Sequence, residues 1–383
     1  METNVKTYKV SVIIPTYNVE PYLRECMESV VRQTLEDIEI ICINDGSTDN
    51  SLEILNEYAG KDERITVIDR ENGGYGSGMN LGLDRATGEY VGIVEPDDYI
   101  ALNMFEDLYE KAKQYDLDFV KADFYRFTRN KNEDMELMYI HLSKNPEDYN
   151  TVFDPSVTPQ AISFAMNTWC GIYRRSFLEE NHIRHNETPG ASFQDNGFWF
   201  QTFAYGKRAM ILDTPYYRNR RDNPNSSVSS PQKVYCMNVE YDHIRRLLVR
   251  DREVWERFRS VYWLKKYHNY INTLRRIAPK CRKEYSRRIA AEFKRGIETN
   301  EIDEKEFTVL EWDKIQSLIK NPDGFYEKKI ATHPSGTAVA KADRLNEELE
   351  HIKKSYSYRL GMFMTYIPRK IRRLIIRIRS KLR

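Results

Sequence analysis

The stretch Tyr8–Asn18, YKVSVIIPTYN, is an apolar, β-branched run that stops at a proline and a polar cluster. Ile38–Asp49, IEIICINDGSTD, repeats the design, with a continuous apolar run ending in turn and capping residues. Short runs this apolar suit strands of a parallel sheet buried on both faces, which do not alternate in polarity. Between the two runs, Leu23, Cys26, Met27, Val30 and Val31 recur at i, i+3, i+4, i+7 and i+8. That is the stripe of a helix laid on a sheet. Pro21 stands near its start, where a missing N–H costs nothing.

Working outward, further strand-like runs occur at Ile65–Ile68, Tyr90–Val94 and Asp118–Ala122. A helix is predicted over Ser51–Ala59, behind Ser47, Thr48 and Asp49 and stopped by Gly60. Another follows from Met104, Phe105, Leu108, Tyr109 and Ala112. The alternation predicts an α/β protein, a Rossmann-type, mostly parallel sheet with helices on both faces, followed by a helical C-terminal region. In such folds ligands bind beyond the carboxyl ends of the strands.

The 383 residues exceed one small module. Lys and Arg number 59 against 58 Asp and Glu, so a globally basic nucleic-acid binder is disfavoured. No stretch approaches the roughly 18–20 apolar residues that span a bilayer. Five cysteines, widely spaced and without a CxxC pair, make neither a disulfide framework nor a zinc site. The amino terminus runs into the first strand with no leader pattern, and a reduced, cytoplasmic setting is expected.

Polar clusters follow three of the strands: Pro15-Thr16-Tyr17-Asn18, Asn44-Asp45-Gly46-Ser47-Thr48-Asp49 and Glu95-Pro96-Asp97-Asp98. On one parallel sheet they converge on one crevice. Asp45 suits the polar edge of a base or a ribose hydroxyl. Glu95, Asp97 and Asp98 supply hard oxygen ligands of the kind Mg²⁺ or Mn²⁺ takes together with phosphate oxygens. Each cluster alone also reads as a turn or a helix cap. The run Gly73-Gly74-Tyr75-Gly76-Ser77-Gly78 matches neither GxGxxG nor GxxxxGK, and reads as close backbone approach to a ligand or as a loop. His182 and His185 form an H-x-x-H without a third ligand, and metal binding is not expected there.

These clusters, with Asn72-Gly73-Gly74, Asn80-Leu81-Gly82 and Ala86-Thr87-Gly88-Glu89-Tyr90, resemble the family 2 glycosyltransferases of the GT-A fold, over roughly residues 8–230. The resemblance implies an inverting, hexosyl-type transferase using a nucleotide-diphosphate sugar, usually a UDP-sugar, with Mg²⁺ or Mn²⁺. It places Pro15, Tyr17 and Asn18 beside uracil and ribose and Asp45 on the base. Gly46, Ser47, Asn72, Asn80 and Glu95 complete the donor site, and Asp97 and Asp98 serve the metal. The family's base motif corresponds to Ser192-Phe193-Gln194-Asp195-Asn196-Gly197-Phe198-Trp199, where Asp195 is the only acid. Asp195 is the expected general base, Glu187 the next candidate, and a helix-capping role for Asp195 is compatible with either. Trp169 is expected to stack on a sugar or sit in the core. The polar stretch Tyr216–Ser230 carries Arg218, Arg220 and Arg221; Arg218 and Arg221 are expected in acceptor binding or loop closure, or the stretch is a solvated loop. Three departures stand out: Glu95 for the usual Asp, Gly78-Met79 for the usual Ala-Arg, and Gln194 for the usual Glu.

The expected organisation is a GT-A domain over 1–235, with a nucleotide-sugar half (1–125) and an acceptor half (126–235). A helical region follows (236–330), with Trp255, Phe258, Tyr262 and Ile271 as buried positions. Residues 331–383 comprise a linker, a seam of Leu345, Leu349, Ile352 and Tyr356, and a tail. From Arg369 to Arg383 eight residues are Lys or Arg and none is acidic, while Ile371, Leu374, Ile375 and Ile378 form one apolar stripe. A basic amphipathic helix of this kind lies on an anionic membrane surface, here the inner face of the plasma membrane, or packs on the body or a second subunit. The expected partners are a nucleotide-sugar donor, a surface glycan or lipid-linked acceptor and that membrane, with no nucleic acid and with homo-oligomerisation left open. The alternatives are a non-catalytic glycan-binding or scaffolding protein of the same descent, or a sugar-nucleotidyltransferase.

Overall fold

The computed structural model describes residues 8–129, 134–157, 164–191, 193–226 and 230–331. In chain order its elements are β1 (Val10–Thr16), α1 (Glu20–Val31), β2 (Ile38–Asp45), α2 (Ser51–Ala59), β3 (Ile65–Arg70), α3 (Tyr75–Arg85), β4 (Tyr90–Ile93), β5 (Tyr99–Ile100), α4 (Met104–Gln114), β6 (Phe119–Arg129), β7 (Met135–Ile140), β8 (Gly171–Arg174), α5 (Arg175–Glu180), α6 (Asp195–Tyr205) and β9 (Ala209–Arg220). Helices α7 (Cys236–Leu248), α8 (Arg252–Arg276), α9 (Pro279–Glu298) and α10 (Val309–Lys320) follow. The strands make one sheet of order β3-β2-β1-β4-β8-β6-β9-β5, with β7 added to β6.

The first half is parallel. β1 pairs with β2 and β4, and β2 with β3. β1 and β2 are almost wholly buried, as their continuous apolar runs require. The chain winds from β1 out to β3 and then returns to place β4 on the other side of β1. That reversal opens a crevice at the carboxyl ends of β1 and β4. The second half is mixed. β8 is antiparallel to β4 and β6, and β9 runs parallel to β6, with a bulge between Ala122 and Phe124. The tail of β9 meets β5 antiparallel, pairing Tyr99 with Arg218. Tyr216–Arg220, expected within a polar loop, is therefore the end of a strand.

The elements expected in the first 125 residues form, with two additions, the two-residue strand β5 and α3. The glycine-rich run after β3 opens α3, which lies on β1 and β2. The helical region joins the same compact unit as the sheet, which extends to Lys320. α6 packs on α7, α7 on α8, and α8 on α9. Trp255, Phe258, Tyr262 and Ile271 are all buried, with Tyr241, Tyr270, Tyr285 and Phe293 around them. Among the described residues no helix is long and apolar enough to cross a membrane. The linker, the seam from Leu345 to Tyr356 and the basic tail lie outside the described residues.

Candidate functional site

The loops after β1 and β2 interlock. The Asn18 N–H donates to Ser47 Oγ at 3.1 Å, and Asn18 Oδ1 accepts from the Thr48 N–H at 2.8 Å. Asp49 accepts from the first N–H of each flanking helix, Glu20 and Ser51, both at 3.0 Å. The capping role expected of this cluster is real, and it serves α1 as well as α2. Asn18 (φ 49°) and Gly46 (φ 72°) hold left-handed turns, and at Gly46 a Cβ would come 2.9 Å from the Asn72 nitrogen. Tyr17 stays 49% exposed above this floor, open to a ligand.

Asp45 ends β2 with its carboxylate turned to the next loop. It accepts from the Gly73 N–H at 2.9 Å and the Gly74 N–H at 2.8 Å, and Arg70 Nε stands 3.2 Å away. Asn72 donates to the Asp45 carbonyl at 2.9 Å. Asp45 thus shapes the wall of the crevice while keeping one lone pair uncommitted. Asn80 lies deeper. Its amide clamps the far segment, donating to the His185 carbonyl and Glu187 Oε1 and accepting from the His185 N–H.

Glu95-Pro96-Asp97-Asp98 lies between the end of β4 and the tail of β9. Glu95 accepts from the Tyr75 hydroxyl at 2.8 Å, and its N–H donates to Tyr217 Oη at 2.9 Å. Burial pushes the Glu95 carboxyl up to about 8, against the Tyr75 hydrogen bond and with Asp97 and Asp195 adding repulsion. Asp97 accepts from the Asn223 amide at 2.8 Å and stays partly exposed. Asp98 faces the other way, 1% exposed. Its carboxylate accepts from the Arg220 N–H at 2.6 Å and the Asn219 amide at 3.0 Å, and burial and Asp97 hold its pKa well above the usual range. Expected at a metal, Asp98 instead ties the acidic loop to β9. The brace from the other side is Arg220, which meets Glu25 Oε2 at 2.5 Å and the Asp97 carbonyl at 2.8 Å.

Asp195 is the first residue of α6. The N-cap position belongs to Gln194, whose side chain makes no capping bond. Asp195 accepts from the Asn196 amide at 3.0 Å. Burial raises its pKa, opposed by that amide, by nearby main-chain N–H groups and by the buried Lys121. Tyr75, which bonds Glu95, packs through His185 on Phe198, one turn along from Asp195, so Asp195 and the acidic loop border the same crevice. The segment 185–190 aims the helix. Gln194 donates from one amide to the Thr188 carbonyl, Thr188 Oγ1 and the Gly190 carbonyl, which a carboxylate has no protons to do. Glu240 of α7 accepts from the Gly197 N–H and the Asn186 amide, both at 2.9 Å. Asn269 of α8 donates to Asn196 Oδ1 at 3.0 Å.

The remaining expectations fall on both sides. Trp169 is half-buried, its ring 4.3 Å from Tyr217 and 4.7 Å from Phe124. Arg218 lies over Tyr125 at 4.6 Å and Arg221 is exposed, while the neighbour between them that contacts the site is Arg220. His182 is a turn residue (φ 51°). His185 is a buried ring stacked on Phe198, its pKa lowered to about 3 by burial and Arg184. Among the described residues no three His, Cys, Asp or Glu groups come together as a metal cage. Tyr75, Tyr217 and Glu240 were not singled out in the sequence. Tyr75 alone had a signal, its place inside the glycine run.

Residues 11–181 match the family described as glycosyl transferase family 2. The uncharacterized glycosyltransferase YibD of Escherichia coli (strain K12) is 32% identical over 254 residues, 63% of this chain and 70% of YibD. The chain belongs to glycosyltransferase family 2. The uncharacterized glycosyltransferase EpsJ of Bacillus subtilis (strain 168) is 37% identical over 229 residues, 58% of this chain and 64% of EpsJ. The chain thus spans less than two thirds of the length of that relative. Among solved structures, S. aureus TarS 1–349 in complex with UDP-GlcNAc aligns with a TM-score of 0.62 at 18% identity, covering 84% of this chain and 92% of that one. The likeness establishes a shared GT-A fold. Two of this chain's three departures are structurally accommodated: Glu95 is met by Tyr75, and Gln194 by three acceptors of the 188–190 turn.

Proposed function

We propose that the chain is an inverting transferase that moves a sugar from a UDP-sugar to a hydroxyl of a surface glycan or lipid-linked acceptor. The observation that carries this reading is one crevice with the acidic loop on one wall and Asp195, at the head of a clamped helix, on the other. The complex of S. aureus TarS 1–349 with UDP-GlcNAc supports the donor class. The nucleoside would lie on the floor formed by Pro15, Tyr17, Asn18 and Ser47, against the loop that Asp45 holds. The diphosphate would face Asp97.

Asp97 fits a divalent cation. It is one partly exposed carboxylate with a single side-chain partner, and Mg²⁺ or Mn²⁺ bound with a diphosphate takes one or two carboxylates and fills its shell with phosphate oxygens and water. Such a cation, when bound, would offset the charge building on the leaving diphosphate. The chain's own residues supply the rest. Asp195 accepts the acceptor hydroxyl's proton as its oxygen bonds to the anomeric carbon, and the bond from that carbon to the diphosphate breaks on the opposite face. The basic tail Arg369–Arg383 would keep the enzyme at the anionic inner face of the plasma membrane, near lipid-linked acceptors.

The test is hydrolysis and transfer across UDP-, GDP- and TDP-sugars with Mn²⁺, joined to calorimetric titration with UDP. Turnover of a UDP-sugar is expected. Asp97→Ala should weaken Mn²⁺-dependent UDP binding roughly 10–100-fold, the worth of a contact to a charged group. Binding without turnover would return the reading to a glycan-binding descendant, and formation of a nucleotide-sugar from a sugar phosphate would point to a nucleotidyltransferase.

A further inference from the structure

Glu95 is fixed at both ends by tyrosines. The Tyr75 hydroxyl donates to its carboxyl at 2.8 Å, and its main-chain N–H donates to Tyr217 Oη at 2.9 Å. A Glu reaches one methylene further than the Asp usual at this position, and that extra bond adds rotamers a site must suppress. The Tyr75 hydroxyl selects one of them.

Tyr75 also touches the opposite wall. Its N–H donates to the Gly190 carbonyl at 3.3 Å. Its ring stands edge-on to His185, with centroids 5.8 Å apart at 79°. His185 in turn stacks on Phe198 at 4.5 Å and 18°, and Phe198 follows Asp195 by one turn of α6. Among the described residues neither ring nitrogen of His185 has a hydrogen-bond partner, so His185 acts here as a flat packing ring. The 185–190 segment can lie this close because Gly76 has no side chain: a Cβ there would come 2.1 Å from the Asn186 carbonyl oxygen.

We propose that Tyr75 is a positioning residue for transfer, holding the Glu95 side chain toward the donor and coupling that contact to the helix that presents Asp195. The proposal rests on the transferase reading above. Tyr75 itself touches no reacting atom. It acts by setting distances, and a misplacement of about 1 Å can cost on the order of a hundredfold in rate.

The experiment uses the full chain and the UDP-sugar that the wild type turns over fastest. Tyr75→Phe keeps the ring against His185 and removes only the hydroxyl. Its kcat should fall about 10–100-fold, with the donor KM within about threefold of wild type and Tm nearly unchanged. Glu95→Asp should lose a similar factor, because the shortened carboxyl no longer meets the hydroxyl. Adding Tyr75→Phe to Glu95→Asp should then cost little more. An unchanged kcat in Tyr75→Phe assigns Tyr75 to packing, and the same loss in both backgrounds shows its hydroxyl acting apart from Glu95; either result overturns the proposal. A wild type inert on every nucleotide-sugar ends the transferase reading and the proposal with it, whereas an active wild type beside an unaltered Tyr75→Phe ends the proposal alone.

Discussion

The two walls of the crevice are built differently. On the donor wall, the loops after β1, β2 and β3 lock one another through main-chain N–H groups: Asn18 with Ser47 and Thr48, Asp49 with two helix starts, and Asp45 with Gly73 and Gly74. On the base wall, side-chain amides and one carboxyl aim one helix: Asn80, Gln194, Glu240 and Asn269. The donor-wall locks join strand-end loops 28–30 residues apart, within consecutive βα units. Apart from Gln194, which bonds four to six residues back, the base-wall clamps span 43–105 residues and exist only once α3, α6, α7 and α8 have packed. The donor wall is therefore set by the first three βα units, and the base wall by the completed fold.

The sharpest break in this comparison is Asp195→Asn. It keeps shape and polar contacts but removes the basic lone pair. Transfer should fall roughly 10²–10⁴-fold, the usual worth of general base catalysis. UDP binding should persist, since those contacts lie on the other wall. Steady-state transfer beside calorimetric UDP titration checks both halves, and near-normal transfer would move the base elsewhere, with Glu187 next. Asn and Asp cap helices about equally well, so a capping role predicts little loss. The structure already gives the cap position to Gln194.

A smaller effect tests the contact between the walls. Gly76→Ala drives a Cβ to 2.1 Å from the Asn186 carbonyl, whereas Gly78→Ala meets its nearest neighbour, Ile43, at 3.6 Å. Overpacking of the first kind costs about 1–3 kcal/mol. The second should be neutral or stabilising by up to about 1 kcal/mol. Urea unfolding of the pair would read the difference, and equal stabilities would show that the 185–190 segment does not bear on α3.

The mildest prediction concerns Glu240 and pH. Burial, with Asp195 adding and Asn186 and Gly197 opposing, raises its pKa from 4.5 to about 7. Because the folded-state value is the higher one, the folded chain binds more protons between those values. Stability from this group is present at low pH and is lost as pH rises through that window, at no more than about 1.4 kcal/mol per pH unit. Glu240→Gln removes that slope. The stability difference between wild type and variant should therefore shift between about pH 5 and about pH 7, measured by urea unfolding. A difference independent of pH would mean that Glu240 titrates normally.

Legibility followed the same division. The strands and helices of the first 125 residues were readable because their signals are local: apolar runs, a 3.6-residue stripe, and capping residues before Ser51. The strand-end clusters were readable for that reason too. α3 was missed because four glycines, which disfavour a helix when isolated, form its start and approach, and its packing on β1 and β2 compensates. The end of β9 was missed because Tyr216–Arg220 is polar, and only its pairing with β5 and β6 makes it a strand.

By itself, then, the sequence determined the parallel half-sheet and the acid-bearing turns at its strand ends, both of which rest on neighbours within a few residues, whereas Asp195 came only from the resemblance to the family's base motif. The tertiary structure alone decided that Asp98 braces β9, that Arg220 and not Arg218 or Arg221 supports the acidic loop, and that Tyr75 meets Glu95. Glu95 and Tyr75 lie on separate elements after different strands, and Asp98 and Arg220 stand 122 positions apart. Such pairings become fixed only when the crossover from β3 to β4 and the return of β9 bring those elements together, because a hydrogen bond acts over about 3 Å and periodicity carries no information across such separations.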